Sequence, residues 1–186
     1  MVKALLERDD VGPEKPDSDG RTPLQEAAWG GHEAVVQILL ARDEVNPDKP
    51  DNHGSTPLSL AAEEGHEGVV KILLRRQEVN PESLDNDGDT PLSCAAHGGS
   101  EGVVKILLAR EGVNPDNPNN TGQTPLSYAA RQGHAGVVKI LLQREEINPN
   151  KADNSGQTPF MHASTRGYQR VIELLQPHEA ATRVTP

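Results

Sequence analysis

Apolar residues return along this chain in two short patterns that alternate. In one, Leu58 is followed by Ala61 and Ala62; in the other, Val69, Val70, Ile72, Leu73 and Leu74 cluster, with Lys71 and Arg75 left over. Both spacings mark one face of a helix, so each stretch predicts a short amphipathic helix. Thr22, Thr56, Thr90, Thr124 and Thr158 each open a Thr-Pro-Leu or Thr-Pro-Phe tripeptide, one every 34 residues. The threonine hydroxyl suits a helix N-cap, and proline suits the first helical position, where its missing N–H costs nothing. Gly20, Gly54, Gly88, Gly122 and Gly156 precede the Thr-Pro, and Gly31, Gly65, Gly99, Gly133 and Gly167 follow it at a fixed offset. Each unit therefore has a backbone-permissive residue at the same two corners. The remainder, Glu78-Val79-Asn80-Pro81 through Asp85-Asn86-Asp87-Gly88, is turn-rich and too poor in apolar residues for a core strand. The pattern predicts a row of helix-turn-helix units that bury a shared core and leave one long surface rather than an enclosed pocket.

These blocks resemble the ankyrin repeat, with its Thr-Pro-Leu signature and period near 33. Thr124-Pro125-Leu126, Ala129-Ala130, Gly133-His134, Val137-Val138 and Ile140-Leu141-Leu142 recur together and in order. The resemblance covers residues 1–176 and implies an all-α solenoid of stacked helix pairs joined by β-hairpin-like loops. It also implies a non-enzymatic recognition module that presents its hairpin tips and first helices, as a concave face, to a protein partner. Two features depart from the family. Gln25, Ser59, Ser93, Ser127 and Met161 stand where a histidine usually ties neighbouring loops, and the loops run on through Asn-Pro segments such as Asn114-Pro115. The near-identical Asn-Pro units are similar to the arrays at the ends of fungal signalling ATPases of the NOD-like receptor type, and also to a designed consensus array.

Met1–Leu6 aligns with Val35–Leu40, so the chain is expected to open on a half-repeat (1–16). Full units follow at 17–50, 51–84, 85–118 and 119–152, then a C-terminal cap (153–176) whose apolar pattern fades at Phe160, Met161, Ser164 and Gln176. Residues 177–186 lack periodic apolar residues and read as a tail.

The formal net charge is −10 and Cys94 is the single cysteine. A disulfide within the chain is therefore impossible, and the acidic balance argues against phosphate-backbone binding, which needs Lys and Arg. Lys71, Lys105 and Lys139 align, but Glu67 and Glu101 interleave with them, as on a solvated face. The chain shows neither a long apolar run nor a signal-peptide core, so a monomeric cytoplasmic module without membrane contact is expected. His32, His66 and His134 repeat at one unit position, about 10 Å apart for packed helices. That is too far for a shared zinc ion, whose nitrogen ligands lie at about 2.0–2.1 Å. The best enzymatic candidate is Cys94 with His97 one helical turn on, but no orienting acid or nucleophile elbow accompanies it. Neither a cofactor nor a metal is expected.

The residues that vary inside the constant frame carry the functional expectation. Glu26, Leu60, Cys94, Tyr128 and His162 form one row on the first helices, and Trp29, Glu63, His97, Arg131 and Thr165 another. At the hairpin tips the rows are Asp19, His53, Asp87, Thr121, Ser155 and Arg21, Ser55, Asp89, Gln123, Gln157. Free drift of exposed positions would produce such variation too, yet Gln37, Lys71, Lys105 and Lys139 on the outer helices stay nearly uniform. Trp29, His53, Leu60, Glu63, Asp87, Asp89, His97, Tyr128, Arg131 and His162 are therefore the expected partner-binding residues. Trp29, Tyr128 and Arg131 are the residue types that most often anchor interfaces. The competing reading, favoured by the near-identity of the units, is a spacer or self-association array with no ligand on that face.

Overall fold

The computed structural model describes residues 12–182, so the half-repeat helix expected at Met1–Leu6 lies outside the described residues. Those residues contain ten helices and no strand: α1 (Pro23–Trp29), α2 (Glu33–Leu40), α3 (Pro57–Glu63), α4 (Glu67–Leu73), α5 (Pro91–Gly98), α6 (Glu101–Leu108), α7 (Pro125–Gln132), α8 (Ala135–Leu141), α9 (Pro159–Arg166) and α10 (Gln169–Thr182). First helices pack on first helices and second on second, with each pair also packed against itself, so two helical layers run the length of the array. Leu58, Leu92 and Leu126 of the first helices and Leu73, Leu107 and Leu141 of the second are fully buried between the layers.

Each first helix starts as its Thr-Pro requires. All five threonine hydroxyls accept the backbone N–H three residues on, with proline directly after the cap. At Thr22 and Thr56, Gln25 and Ser59 return the bond and complete a capping box. This explains what replaced the family's histidine. Ser59, Ser93 and Ser127 serve their own helix, and Gln25 also reaches the next unit, donating from Nε2 to the Ser55 carbonyl at 2.7 Å.

The tie between neighbouring tips is an asparagine ladder. Asn52, Asn86, Asn120 and Asn154 each donate a backbone N–H to the preceding tip, at Asp19, His53, Asp87 and Thr121, over 2.9–3.0 Å. Their side-chain amides donate to the carbonyls of Ser18, Asn52, Asn86 and Asn120. Gly54 has φ +79° at its tip, and a side chain there would overlap the Asn86 backbone, so the tip needs glycine for conformation and for space. The Asn-Pro loops have their own logic. Asn46, Asn80, Asn114 and Asn148 accept the N–H two residues on, closing an Asx turn across the proline. Lys49 bonds Glu14 and Lys151 bonds Asp116, each at 3.1 Å, across to the preceding loop.

The chain does not lose its structure at Pro177, as the fading apolar pattern led one to expect. α10 continues to Thr182 with Pro177 inside it. Missing one helical hydrogen bond is offset by docking: Asn150 Nδ2 donates to the His178 carbonyl at 2.9 Å, and Thr158 Oγ1 to Glu179 Oε1 at 3.3 Å. Val171 and Leu175 of the same helix are buried.

Candidate functional site

The hairpin tips and first helices form one face, and on it a cavity of about 230 Å³ opens between the second, third and fourth units. It brings together Leu60 and Glu63 of α3, Asp87 and Asp89 of the third tip, His97 of α5, and Tyr128 and Arg131 of α7. Leu60 is nearly buried and forms an apolar wall. Tyr128 organises the opposite side. Its hydroxyl donates to Asp89 Oδ2 at 2.7 Å and accepts from Asn119 Nδ2 at 3.0 Å. His97 meets the Tyr128 ring edge-on at 5.5 Å, and the Arg131 guanidinium lies 5.4 Å from the ring centroid. Nδ1 of His97 is 3.2 Å from Glu63 Oε1. Tyr128 and Arg131 are thus held in place before any ligand arrives, which limits the side-chain entropy lost on binding.

Three of the expected residues stand apart from this cavity. Trp29 is 45% exposed at the first-unit end of the face, donating from Nε1 to Glu64 Oε1 at 3.2 Å, with the Arg21 guanidinium 5.7 Å from its ring. His53 is exposed at the second tip, where its carbonyl serves the asparagine ladder. His162 is buried and bonds through Nε2 to Asp153 Oδ2 at 2.9 Å, tying α9 to its own hairpin. Sequence reasoning missed Asp85, Ser59 and Ser93, which line the cavity together with Ser55 and Cys94 of the variable rows. Asp85 repeats with Asp51 and Asp153 and reads as a turn residue. That it also faces a ligand-sized space shows only when the tip is set against α3 and α7.

The electrostatics are unusual at Asp89. Burial raises its carboxyl to about 6 from an ordinary 3.8, a rise that the Tyr128 hydrogen bond opposes and the neighbouring Asp85 and Asp87 reinforce. Between those two values the folded chain holds a proton that the unfolded chain has lost, so this group makes stability fall as pH rises through that window. The penalty is complete above pH 6 and absent below about 4. Asp89→Asn keeps an acceptor for Tyr128 and removes the charge. It is expected to stabilise the protein by about 1–2 kcal/mol at pH 7.5 and by almost nothing at pH 4, as measured by urea unfolding at both values. Destabilisation at pH 7.5 would contradict the assigned cause.

Burial likewise pushes the Cys94 thiol well up, with Asp89, Asp85 and Glu63 adding to it. His97 is engaged with Glu63. Glu63 thus gives His97 the carboxylate partner that the sequence did not show, while burial keeps the Cys94 thiol protonated, which weakens it as a nucleophile. The repeated histidines have a packing role: Nε2 of His66 donates to the Trp29 carbonyl at 2.8 Å, and that of His134 to the His97 carbonyl at 3.0 Å. Among the described residues, no helix is long and apolar enough to cross a membrane. No group of three or more His, Cys, Asp or Glu among them could hold a metal ion.

A sequence model of the family described as Ankyrin repeats (3 copies) matches residues 1–83, 44–118, 75–153 and 111–185. The chain belongs to the ankyrin-repeat family. Ankyrin repeats are in general protein–protein interaction modules, so the convergence of variable residues from three repeats on one cavity lies on a family used for recognition. No curated protein matches the chain.

Proposed function

We propose that this ankyrin array binds a protein segment laid across its first helices and hairpin tips, as the sensing or scaffolding arm of a larger cytoplasmic protein. The observation that carries the reading is the cavity itself. Leu60, Asp89 and Tyr128 come from three successive repeats at positions that vary, and they build one space walled by apolar, acidic and aromatic groups. An aromatic ring faced by an arginine lies toward each end of the surface, Trp29 with Arg21 and Tyr128 with Arg131. A chain crossing three or four repeats at about 10 Å each can touch both anchors, whereas a small metabolite cannot.

Proteins captured from a lysate by the immobilised array, then re-measured one by one, test this. Alanine at Trp29, Tyr128 or Arg131 is expected to weaken a true partner by about 1–2 kcal/mol each, while alanine at Lys71 or Lys139 leaves it unchanged. A crosslinking footprint on the outer lysine row refutes the reading. Capture of nothing but second copies of this chain favours the self-association array, for which half-exposed Met161 at the end of the first-helix layer offers a contact.

A further inference from the structure

We propose that the cavity between α3, α5 and α7 is a receptor for one arginine side chain projecting from the bound segment, an inference that rests on reading this face as a protein-recognition surface. Some acids of the array are paired across or within repeats: Asp51 with Arg21, Glu14 with Lys49, Asp116 with Lys151, Glu67 with Lys71. Those of the cavity are not paired in this way. Glu63, Asp85, Asp87 and Asp89 all line it, and among the described residues no lysine or arginine pairs with any of them. The one arginine present, Arg131, is turned to the Tyr128 ring and to Gln123 Oε1. Oδ1 of Asp89 is buried without a hydrogen-bond partner, while Oδ2 is taken by Tyr128. An unpaired acceptor of this kind is costly in the free protein. The neighbouring fourth and fifth tips carry Thr121, Gln123, Ser155 and Gln157 at the equivalent positions, so the negative charge is concentrated at the third tip.

The shape selects among cations. The described carboxylates do not converge on a point as metal ligands must. They lie on two sides, Glu63 on a helix and Asp87 and Asp89 on a hairpin, which suits a planar guanidinium with donors along several edges better than a compact ammonium. Leu60 and the Tyr128 ring supply apolar surface for the methylene stem. The raised carboxyl of Asp89 agrees with an acidic site lacking its counter-charge.

The test uses the full chain, uniformly 15N-labelled, titrated with the tripeptide acetyl-Gly-Arg-Gly-amide and with its citrulline and lysine counterparts. The arginine peptide is expected to produce saturable shifts confined to α3, α5, α7 and the tip at residues 85–89. The lysine peptide should bind more weakly and the neutral citrulline peptide not at all. Asp87→Asn and Glu63→Gln, both at exposed side chains, should each weaken arginine binding at least about fivefold. Asp17→Asn on the first tip should leave it unchanged. Equal binding of citrulline, shifts scattered over acidic residues along the array, or unchanged affinity in both variants overturns the proposal. If the tripeptide fails while a captured partner still depends on Trp29, Tyr128 and Arg131, the recognition surface stands without its arginine receptor. If the tripeptide binds as described while every captured partner ignores those three residues, the receptor stands and the wider surface falls.

Discussion

Leu107→Ala is expected to lower stability by about 2–5 kcal/mol, and Lys105→Ala, two residues earlier on the same helix, by less than about 0.5 kcal/mol. Leu107 is fully buried in α6, in the layer of second helices flanked by α4 and α8, and Lys105 is exposed. Truncating Leu107 removes apolar contacts with both neighbours and leaves a cavity that short, tightly stacked helices cannot collapse. Because each repeat contacts only those beside it, the damage falls on two interfaces at the centre of the array. Urea unfolding of the variant should therefore lose cooperativity as well as midpoint, with the two flanks beginning to unfold separately. Similar losses from both substitutions would mean that the helix face has been assigned wrongly.

Much of the fold was legible because the repeat supplies five internal copies of one solution. Thr-Pro states a helix start in chemical terms, and every such start is where the threonine hydroxyl finds its N–H. The asparagine ladder was present in the sequence as Asn52, Asn86, Asn120 and Asn154, but asparagine two residues before a glycine reads first as a turn former. Its second role, donating to the tip one repeat earlier, depends on a distance between units that no local pattern encodes. The extension of α10 through Pro177 was hidden for a similar reason. Its support comes from Asn150 and Thr158, far away in the chain.

The candidate site was legible as a set of rows and not as a cavity. Variation at Leu60, Glu63, His97, Tyr128 and Arg131 marks a face, yet comparison of the repeats gives His162 the same standing as Tyr128. Only the packing separates them: His162 is bonded inward to Asp153, while Tyr128 reaches Asp89 in the repeat before it. Those two partners differ because the third tip has an aspartate at position 89 where the fourth has Gln123. Position in a row fixes the direction of a side chain, and its function follows from what the neighbouring row offers.

The third repeat differs from the rest in a way that bears on the cavity, and Gly98→Ala tests it. Alanine in place of a helical glycine ordinarily stabilises by up to about 1 kcal/mol. Here the opposite is expected, a loss of about 1–2 kcal/mol by overpacking. A methyl group on Gly98 would overlap the Glu63 carbonyl, which belongs to the backbone of α3 and has little freedom to withdraw. Glu64 and Gln132 occupy the equivalent position in other repeats, each two residues before a histidine that bonds the preceding carbonyl. Ser100 stands where that histidine would be, so α5 can close directly onto α3, and these two pack more extensively than any other pair of first helices. Gly102→Ala is the control. A methyl there meets only the carboxylate end of Glu67, which can swing away, so stability should hold or improve. Importing the pair from the fourth repeat, Gly98→Gln with Ser100→His, should cost less than the two single changes added together, because the imidazole can then take the Glu63 carbonyl at the wider spacing. Strict additivity, or stabilisation by Gly98→Ala alone, would show that the close approach of α5 to α3 does not depend on these two small residues.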